Sequence, residues 1–344
     1  MTLTSNRTTD RGIGLGLVTA LLSVALAACG SSPTTSTGPA STGPASTSPA
    51  STGPASTSPA STGPGSTGPG STGPASVVSA PVRIAHTALG AVGYRVVGSG
   101  PPLVMIMGYA GTMEVWDPRF VDALAQHYRV VIFDNAGVGQ TQALPAPLTI
   151  DAMADQTSAL ISALGLGRPD VLGWSMGGMI AQALTVRHPA QVRRLVLCAK
   201  FPGTGVAVVP SQTTVQALTS SNPGPYLYPA DQAAAWNAFV AAISRYPAAS
   251  SVPAAVIAAQ GNASLGWFVG TDPAGRRTAT IEVPTLIADG TADRIDAAAN
   301  DRTLAGLIRG SRLVLYPDAG HAFLFQEGAP FTALIESFLG GAEN

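Results

Sequence analysis

The chain has 344 residues, 46% of them apolar and 11% charged, with a formal net charge of −1. That apolar share is ample for a sizeable core. With 18 Lys and Arg against 19 Asp and Glu, no excess of positive charge is available to neutralise a run of phosphates, and no nucleic-acid partner is expected.

In chain order, residues 1–28 read as a targeting segment. Arg7 and Arg11 form a basic start, and Gly12 to Ala28 is uncharged and mostly apolar, with small residues at its end. A bilayer span needs about 20 apolar residues, and this run is slightly short. Leu26-Ala27-Ala28-Cys29 resembles the lipobox of bacterial lipoproteins. The resemblance implies cleavage before Cys29, with lipid on its thiol and on the new N-terminus. The mature protein would then be exported and anchored at the outer face of the bacterial cell membrane. Ordinary secretion with a coincidental cysteine is the alternative.

Residues 29–76 follow as lipidated Cys29 and a linker. From Ser36 to Ala75 a five-residue unit recurs, as in Ser36-Thr37-Gly38-Pro39-Ala40. It has almost no large apolar side chains and no charges, so burial cannot offset its ordering entropy and the expectation is disorder. Forty residues would reach roughly 120 Å as polyproline II or roughly 35 Å as a flexible coil. Such a stalk would lift a domain away from a membrane, and its Ser/Thr/Pro content suits O-glycosylation. The second cysteine, Cys198, lies in the apolar run Leu195–Cys198 and reads as a buried, inert thiol, with no intramolecular disulfide.

Residues 77–344 read as one α/β domain. Pro81–Thr87 and Ala91–Val97 alternate apolar and polar residues around Leu89-Gly90, the pattern of an antiparallel hairpin. Six short apolar runs follow: Leu103–Met107, Val130–Phe133, Asp170–Leu172, Leu195–Cys198, Thr285–Ala288 and Leu313–Tyr316. Such runs suit parallel strands buried on both faces. Helical stretches near 115–126, 150–164, 176–188, 297–308 and 330–339 alternate with them, so the expected architecture is a mostly parallel sheet with helices on both faces. The interval from about 201 to 283 has no clear strand and is too long for a structureless loop. It reads as an inserted helical cap. Its aromatics, Trp236, Phe239, Trp267 and Phe268, either line a cavity or fasten the cap to the core.

The strongest local signal is Gly173-Trp174-Ser175-Met176-Gly177-Gly178, between a strand and a helix. That context is what a nucleophile elbow requires: a sharp, crowded turn with glycines beside the serine, opening a helix whose positive end faces the site. A serine hydroxyl needs a base, and the chain has four histidines. His86 lies in the hairpin, His127 between a helix and a strand, and His188 at a helix end. His321, in Asp318-Ala319-Gly320-His321, follows the last strand, where open α/β sheets build their sites. The acid should fall between serine and histidine in chain order. In Ala288-Asp289-Gly290-Thr291-Ala292-Asp293, Asp293 is far enough into the loop to reach across. Asp289 is close to the strand end, and Asp296 reads as the cap of the next helix.

With these segments in place, residues 81–344 resemble the α/β-hydrolases. Met107-Gly108-Tyr109-Ala110-Gly111 looks like their oxyanion loop, Phe133-Asp134-Asn135-Ala136-Gly137-Val138-Gly139 like their Asp-x-Arg-Gly-x-Gly segment, and Gly320-His321-Ala322 like their histidine loop. The resemblance implies an oxyanion hole made by the backbone N–H groups of Tyr109 and Met176. Met107 stands where the family commonly has a histidine, and Ala136 where it has an arginine, which puts the support of those loops in doubt.

The implied chemistry is acyl transfer through Ser175, with His321 as base and Asp293 orienting it, and with no metal or organic cofactor. The expected substrate is a small to medium apolar ester, with an amidase, peptidase or cofactor-free perhydrolase (haloperoxidase-like) on the same residues as alternatives. A serine nucleophile speaks against epoxide hydrolase or haloalkane dehalogenase chemistry. A non-catalytic surface-anchored binding protein is the reading from a different class. A dinucleotide enzyme fails at position 142, where Gln142 replaces the third glycine.

Overall fold

The computed structural model describes residues 76–211, 213–214, 223–247 and 251–341. The targeting segment, Cys29 and the repeat linker lie outside the described residues. Eight strands form one sheet in the order β1-β2-β4-β3-β5-β6-β7-β8. β1 (Arg83–Thr87) and β2 (Gly90–Val97) are the expected antiparallel hairpin. Gly90 closes it at φ 107°, a conformation side chains avoid. β2 runs antiparallel to β4 (Arg129–Phe133), and from β4 onward every pairing is parallel: β3 (Pro102–Ile106), β5 (Asp170–Trp174), β6 (Leu195–Cys198), β7 (Thr285–Gly290) and β8 (Arg312–Tyr316).

The continuous apolar runs have a simple cause. Alternate residues of each central strand serve opposite cores. Leu103 and Met105 of β3 join one cluster with Phe120 and Phe331, whereas Val104 and Ile106 join the other with Ile150, Ile180 and Leu304. The first cluster packs α1 (Pro118–Leu124) and α7 (Gly328–Gly340) on one face of the sheet. The second packs α2 (Ile150–Ala163), α3 (Met176–Arg187) and α6 (Ala298–Leu307) on the other.

A side chain caps the start of α1 and of α2, whereas α3 to α7 begin without one. The stretch expected at 115–126 is split: a single turn at Met113–Val115 precedes α1, which Asp117 caps by accepting the Arg119 amide at 2.8 Å, with Pro118 at the first position. Thr149 caps α2 through the Ala152 amide at 3.0 Å. Asp296 does not cap α6. The cap position is Ala297, and Asp296 turns inward, fully buried, to accept from Asn300 Nδ2 at 2.6 Å. A capping side chain must face its own helix end, and this one is drawn into a buried cluster.

Between β6 and β7 the described residues hold no strand. Among the described residues the insertion holds two helices, α4 (Ala233–Ile243) and α5 (Ala254–Phe268), and three short helical segments, Gly224–Leu227, Ala230–Gln232 and Gly275–Thr280. Among the described residues, no helix is long and apolar enough to cross a membrane.

Candidate active site

β5 ends at Trp174 and α3 begins at Met176, leaving Ser175 alone in the turn at φ 57°, ψ −124°. That conformation is strained for a non-glycine residue, and its surroundings hold it. Ser175 donates its amide to Cys198 O at 2.9 Å, and its carbonyl accepts from the Gly178 amide at 2.8 Å. The flanking glycines are steric necessities. A Cβ on Gly177 would stand 2.0 Å from the carbonyl oxygen of Ile106, and one on Gly173 would stand 2.2 Å from that of Gly177.

His321 follows β8 and is buried. Its Nδ1 lies 2.7 Å from Asp293 Oδ2. The other carboxylate oxygen, Oδ1, accepts from the amides of Ile295 at 2.7 Å and Asp296 at 2.9 Å, so the acid is fixed from both ends. With Nδ1 engaged, Nε2 is the nitrogen left to exchange a proton. Trp174, beside the serine, donates from Nε1 to the His321 carbonyl at 3.0 Å, and its ring lies 5.8 Å from the imidazole. Ser175 and His321 line one cavity of about 350 Å³.

Asp289 is elsewhere. It lies within β7 with no exposed surface, accepting from the Gly290 amide at 2.6 Å. Burial, and then the neighbouring carboxylates of Asp293, Asp301 and Asp296, push its carboxyl well above the usual range. The remaining histidines also lie apart: His86 in β1, His127 3.8 Å from Glu336, and His188 at the end of α3 with Nε2 2.7 Å from Asp155.

Tyr109 and Met176 both border the cavity. Met176 opens α3, so its amide has no carbonyl within the helix to bond. Among the described residues the Tyr109 amide donates to no other group. Other contacts support the loop in place of the absent histidine and arginine. Asn135 Nδ2 donates to Met107 O at 2.8 Å, Asp134 Oδ1 accepts from the Met113 amide at 2.7 Å, and Gln260 Oε1 accepts from the Ala110 amide at 2.9 Å. Gln260 is fully buried on α5, so the insertion itself steadies this loop. Sequence reasoning missed Gln260, which nothing separates from other glutamines of an amphipathic helix. It also missed Lys200, the only lysine of the chain, fully buried just after β6. A lone lysine two residues beyond an apolar run was a readable signal.

The cavity wall is apolar. Tyr109, Trp174 and Met176 come from the sheet loops, and Phe268, Leu227 and Pro223 from the insertion. No Asp, Glu, Lys or Arg is among the described residues that line it. From Phe201 to Thr271 the sequence has two charged residues, Asp231 and Arg245. Of Trp236, Phe239, Trp267 and Phe268, Phe268 alone is among the described residues that border the cavity, together with Phe201 at the start of the insertion. Phe239 stacks on Phe325 at 5.2 Å, Trp236 lies against Tyr228, and Trp267 is fully buried with Nε1 donating to Phe201 O at 3.0 Å. Trp267 and Phe268 differ because successive helix positions are turned by about 100°. A separate cavity of about 380 Å³, lined by Arg95, Glu114 and Asp134, shares no residue with this one.

A strained serine at a strand–helix elbow, a buried carboxylate–imidazole pair and an eight-stranded, mostly parallel sheet define the class. The chain belongs to the alpha/beta hydrolase fold family, whose profile matches residues 101–328. It is 28% identical over 269 residues to the putative carbamate hydrolase RutD of Caulobacter sp. (strain K31), covering 72% of this chain and 96% of that protein. Among solved structures, an alpha/beta hydrolase fold protein from Chitinophaga pinensis superposes with a TM-score of 0.67 at 24% identity, covering 78% of this chain and all of that one. The enol-lactonase from Burkholderia xenovorans LB400 gives a TM-score of 0.59 at 27% identity, covering 75% and 100%.

Proposed function

We propose that this chain is a serine hydrolase that cleaves small to medium apolar carboxylic esters through an acyl-enzyme. Ser175 attacks the acyl carbon as His321 Nε2 takes its proton. Asp293 holds the imidazole tautomer and stabilises the imidazolium. The amides of Tyr109 and Met176 bind the developing oxyanion, a contribution of about 3–4 kcal/mol per donor. The imidazolium protonates the leaving alkoxide, and water activated by His321 then releases the acid. The observation that carries this reading is the 2.7 Å His321–Asp293 contact on the wall of the cavity that Ser175 enters. The apolar wall supports an apolar acyl group, since each buried CH₂ contributes about 0.8 kcal/mol until the space is filled.

A fluorophosphonate should label the wild-type chain at Ser175. Acyl esters of graded length should give a specificity constant that rises and then falls. Absence of labelling removes the serine mechanism, and a flat profile or a preference for charged acyl groups removes the apolar pocket. The similarity to RutD supports carbamate cleavage by the same attack as a second reading, and carbamates belong in the same screen. At the membrane, Leu26–Cys29 supports a lipid anchor. Mature protein should partition into detergent, and Cys29→Ala should release it or leave the precursor uncleaved. An unmodified Cys29 at the mature N-terminus in mass spectrometry would refute the anchor.

A further inference from the structure

Lys200 sits in the turn after β6 with no exposed surface, and its Nζ meets the Asp301 carboxylate. Asp289 and Asp296, equally buried, complete the cluster. Their ligand oxygens and that of Asp301 lie within 4.8 Å of one another. Three carboxylates so spaced could hold a cation, and the Lys200 ammonium supplies the positive charge. One ammonium cannot balance three dehydrated carboxylates. Burial first, and the neighbouring carboxylates after it, push Asp289 and Asp296 well above the usual range. For Lys200, burial lowers the pKa, and the surrounding carboxylates more than offset it. The cluster therefore holds one Lys200–Asp301 pair beside two carboxyls whose neutral form burial favours.

Lys200 stands between the two halves of the site. On one side it packs beside Gly178 of α3, where a Cβ added to the glycine would stand 2.7 Å from the Lys200 Cβ. The Gly178 amide is the one bonded to the Ser175 carbonyl. On the other side, Asp301 lies in the first turn of α6 next to Asn300. Asn300 Nδ2 donates to Asp296 Oδ1 at 2.6 Å, the Asp296 amide donates to Asp293 Oδ1 at 2.9 Å, and Asp293 holds His321.

We propose that Lys200 is a positioning residue: its buried pair with Asp301 ties the segment behind Ser175 to the segment behind Asp293 and so sets where the imidazole stands relative to the nucleophile. This rests on the reading of Ser175, His321 and Asp293 given above. The test compares full-length wild type, Lys200→Met and Lys200→Met/Asp301→Asn on one soluble ester, with kcat expressed per Ser175 titrated by fluorophosphonate. Lys200→Met should lose stability, because it strands a buried carboxylate. The double variant should recover stability, because no charge is left unpaired. Both should lose kcat by roughly 10- to 100-fold, the cost of a displacement of about 1 Å at a reacting group, with KM nearly unchanged.

A purely structural lysine predicts otherwise: a recovered double variant with wild-type kcat, and that result overturns the proposal. If Lys200→Met fails to accumulate, the double variant, which breaks the same pair without stranding a charge, is read alone, and a wild-type kcat there overturns it equally. A wild-type chain that neither labels nor turns over ester overturns the reading of the site and this proposal with it. An active, labelled wild type whose variants keep kcat overturns the role of Lys200 alone.

Discussion

The loops at the carboxyl edge of the sheet and the insertion between β6 and β7 border the same cavity but are built differently. The edge loops are short and fixed by contacts of 2.7–3.0 Å to backbone and side chains, as at Asp293, His321 and Ser175. The insertion meets the cavity mainly through apolar side chains, with Ser264 beside them, on helices and turns that are otherwise anchored by Trp267, Phe239 and Gln260. Polar chemistry needs directional contacts that a tight turn can supply, whereas apolar selection needs only a surface of the right shape. Substitutions at the edge should therefore change rate, and substitutions in the insertion should change stability or preference.

The largest effect is expected at Ser175→Ala, which should lower kcat by roughly a million-fold while leaving the thermal midpoint close to wild type, as read by ester hydrolysis and calorimetry. Near-normal turnover would sink the assignment. Asp293→Asn should follow with a loss on the order of 10⁴ through the wrong imidazole tautomer. Asp289→Asn, four residues away, should cost far less, because Asp293 and not Asp289 contacts His321, and burial favours the neutral form of the Asp289 carboxyl. Equal losses at the two positions would erase the distinction between them.

In the insertion, Trp267→Ala should destabilise by about 3–5 kcal/mol in denaturant titration, with little change in acyl-length preference per folded molecule. Its neighbour Phe268→Ala should do the reverse, moving the optimum to longer acyl chains at small cost in stability. If Trp267→Ala reshapes preference and Phe268→Ala does not, the division of roles between these helix faces is wrong.

The smallest effect concerns an edge carboxyl that serves structure. Burial raises Asp134 to about 6. Its unfolded value is about 3.9, so the folded state retains the proton more strongly, and stability falls as pH rises from about 4 to about 6, by up to roughly 3 kcal/mol. Asp134→Asn keeps the acceptor for the Met113 amide and abolishes that titration. Its stability relative to wild type should climb across this window and level off by about pH 7. A pH-independent difference would show that the carboxyl is not the source.

Much of the platform was legible in the chain. The strands announced themselves because a parallel strand buried on both faces has to be continuously apolar, and the Gly173–Gly178 turn because no side chain fits at Gly173 or Gly177, two positions to either side of its serine. Sequence order and loop position singled out His321 and Asp293, although nothing short of the fold could bring residues 28 positions apart to 2.7 Å. The inward turn of Asp296, the hold of Gln260 on the Ala110 amide and the Trp174 contact to His321 were not legible. Each depends on a partner 4 to 150 positions away, chosen by packing rather than by local pattern. Lys200 shows the boundary most clearly: the sequence alone makes it the single lysine of the chain, just beyond the apolar run Leu195–Cys198. Only the tertiary structure, by closing three carboxylates around it away from water, gives that charge a reason to be there.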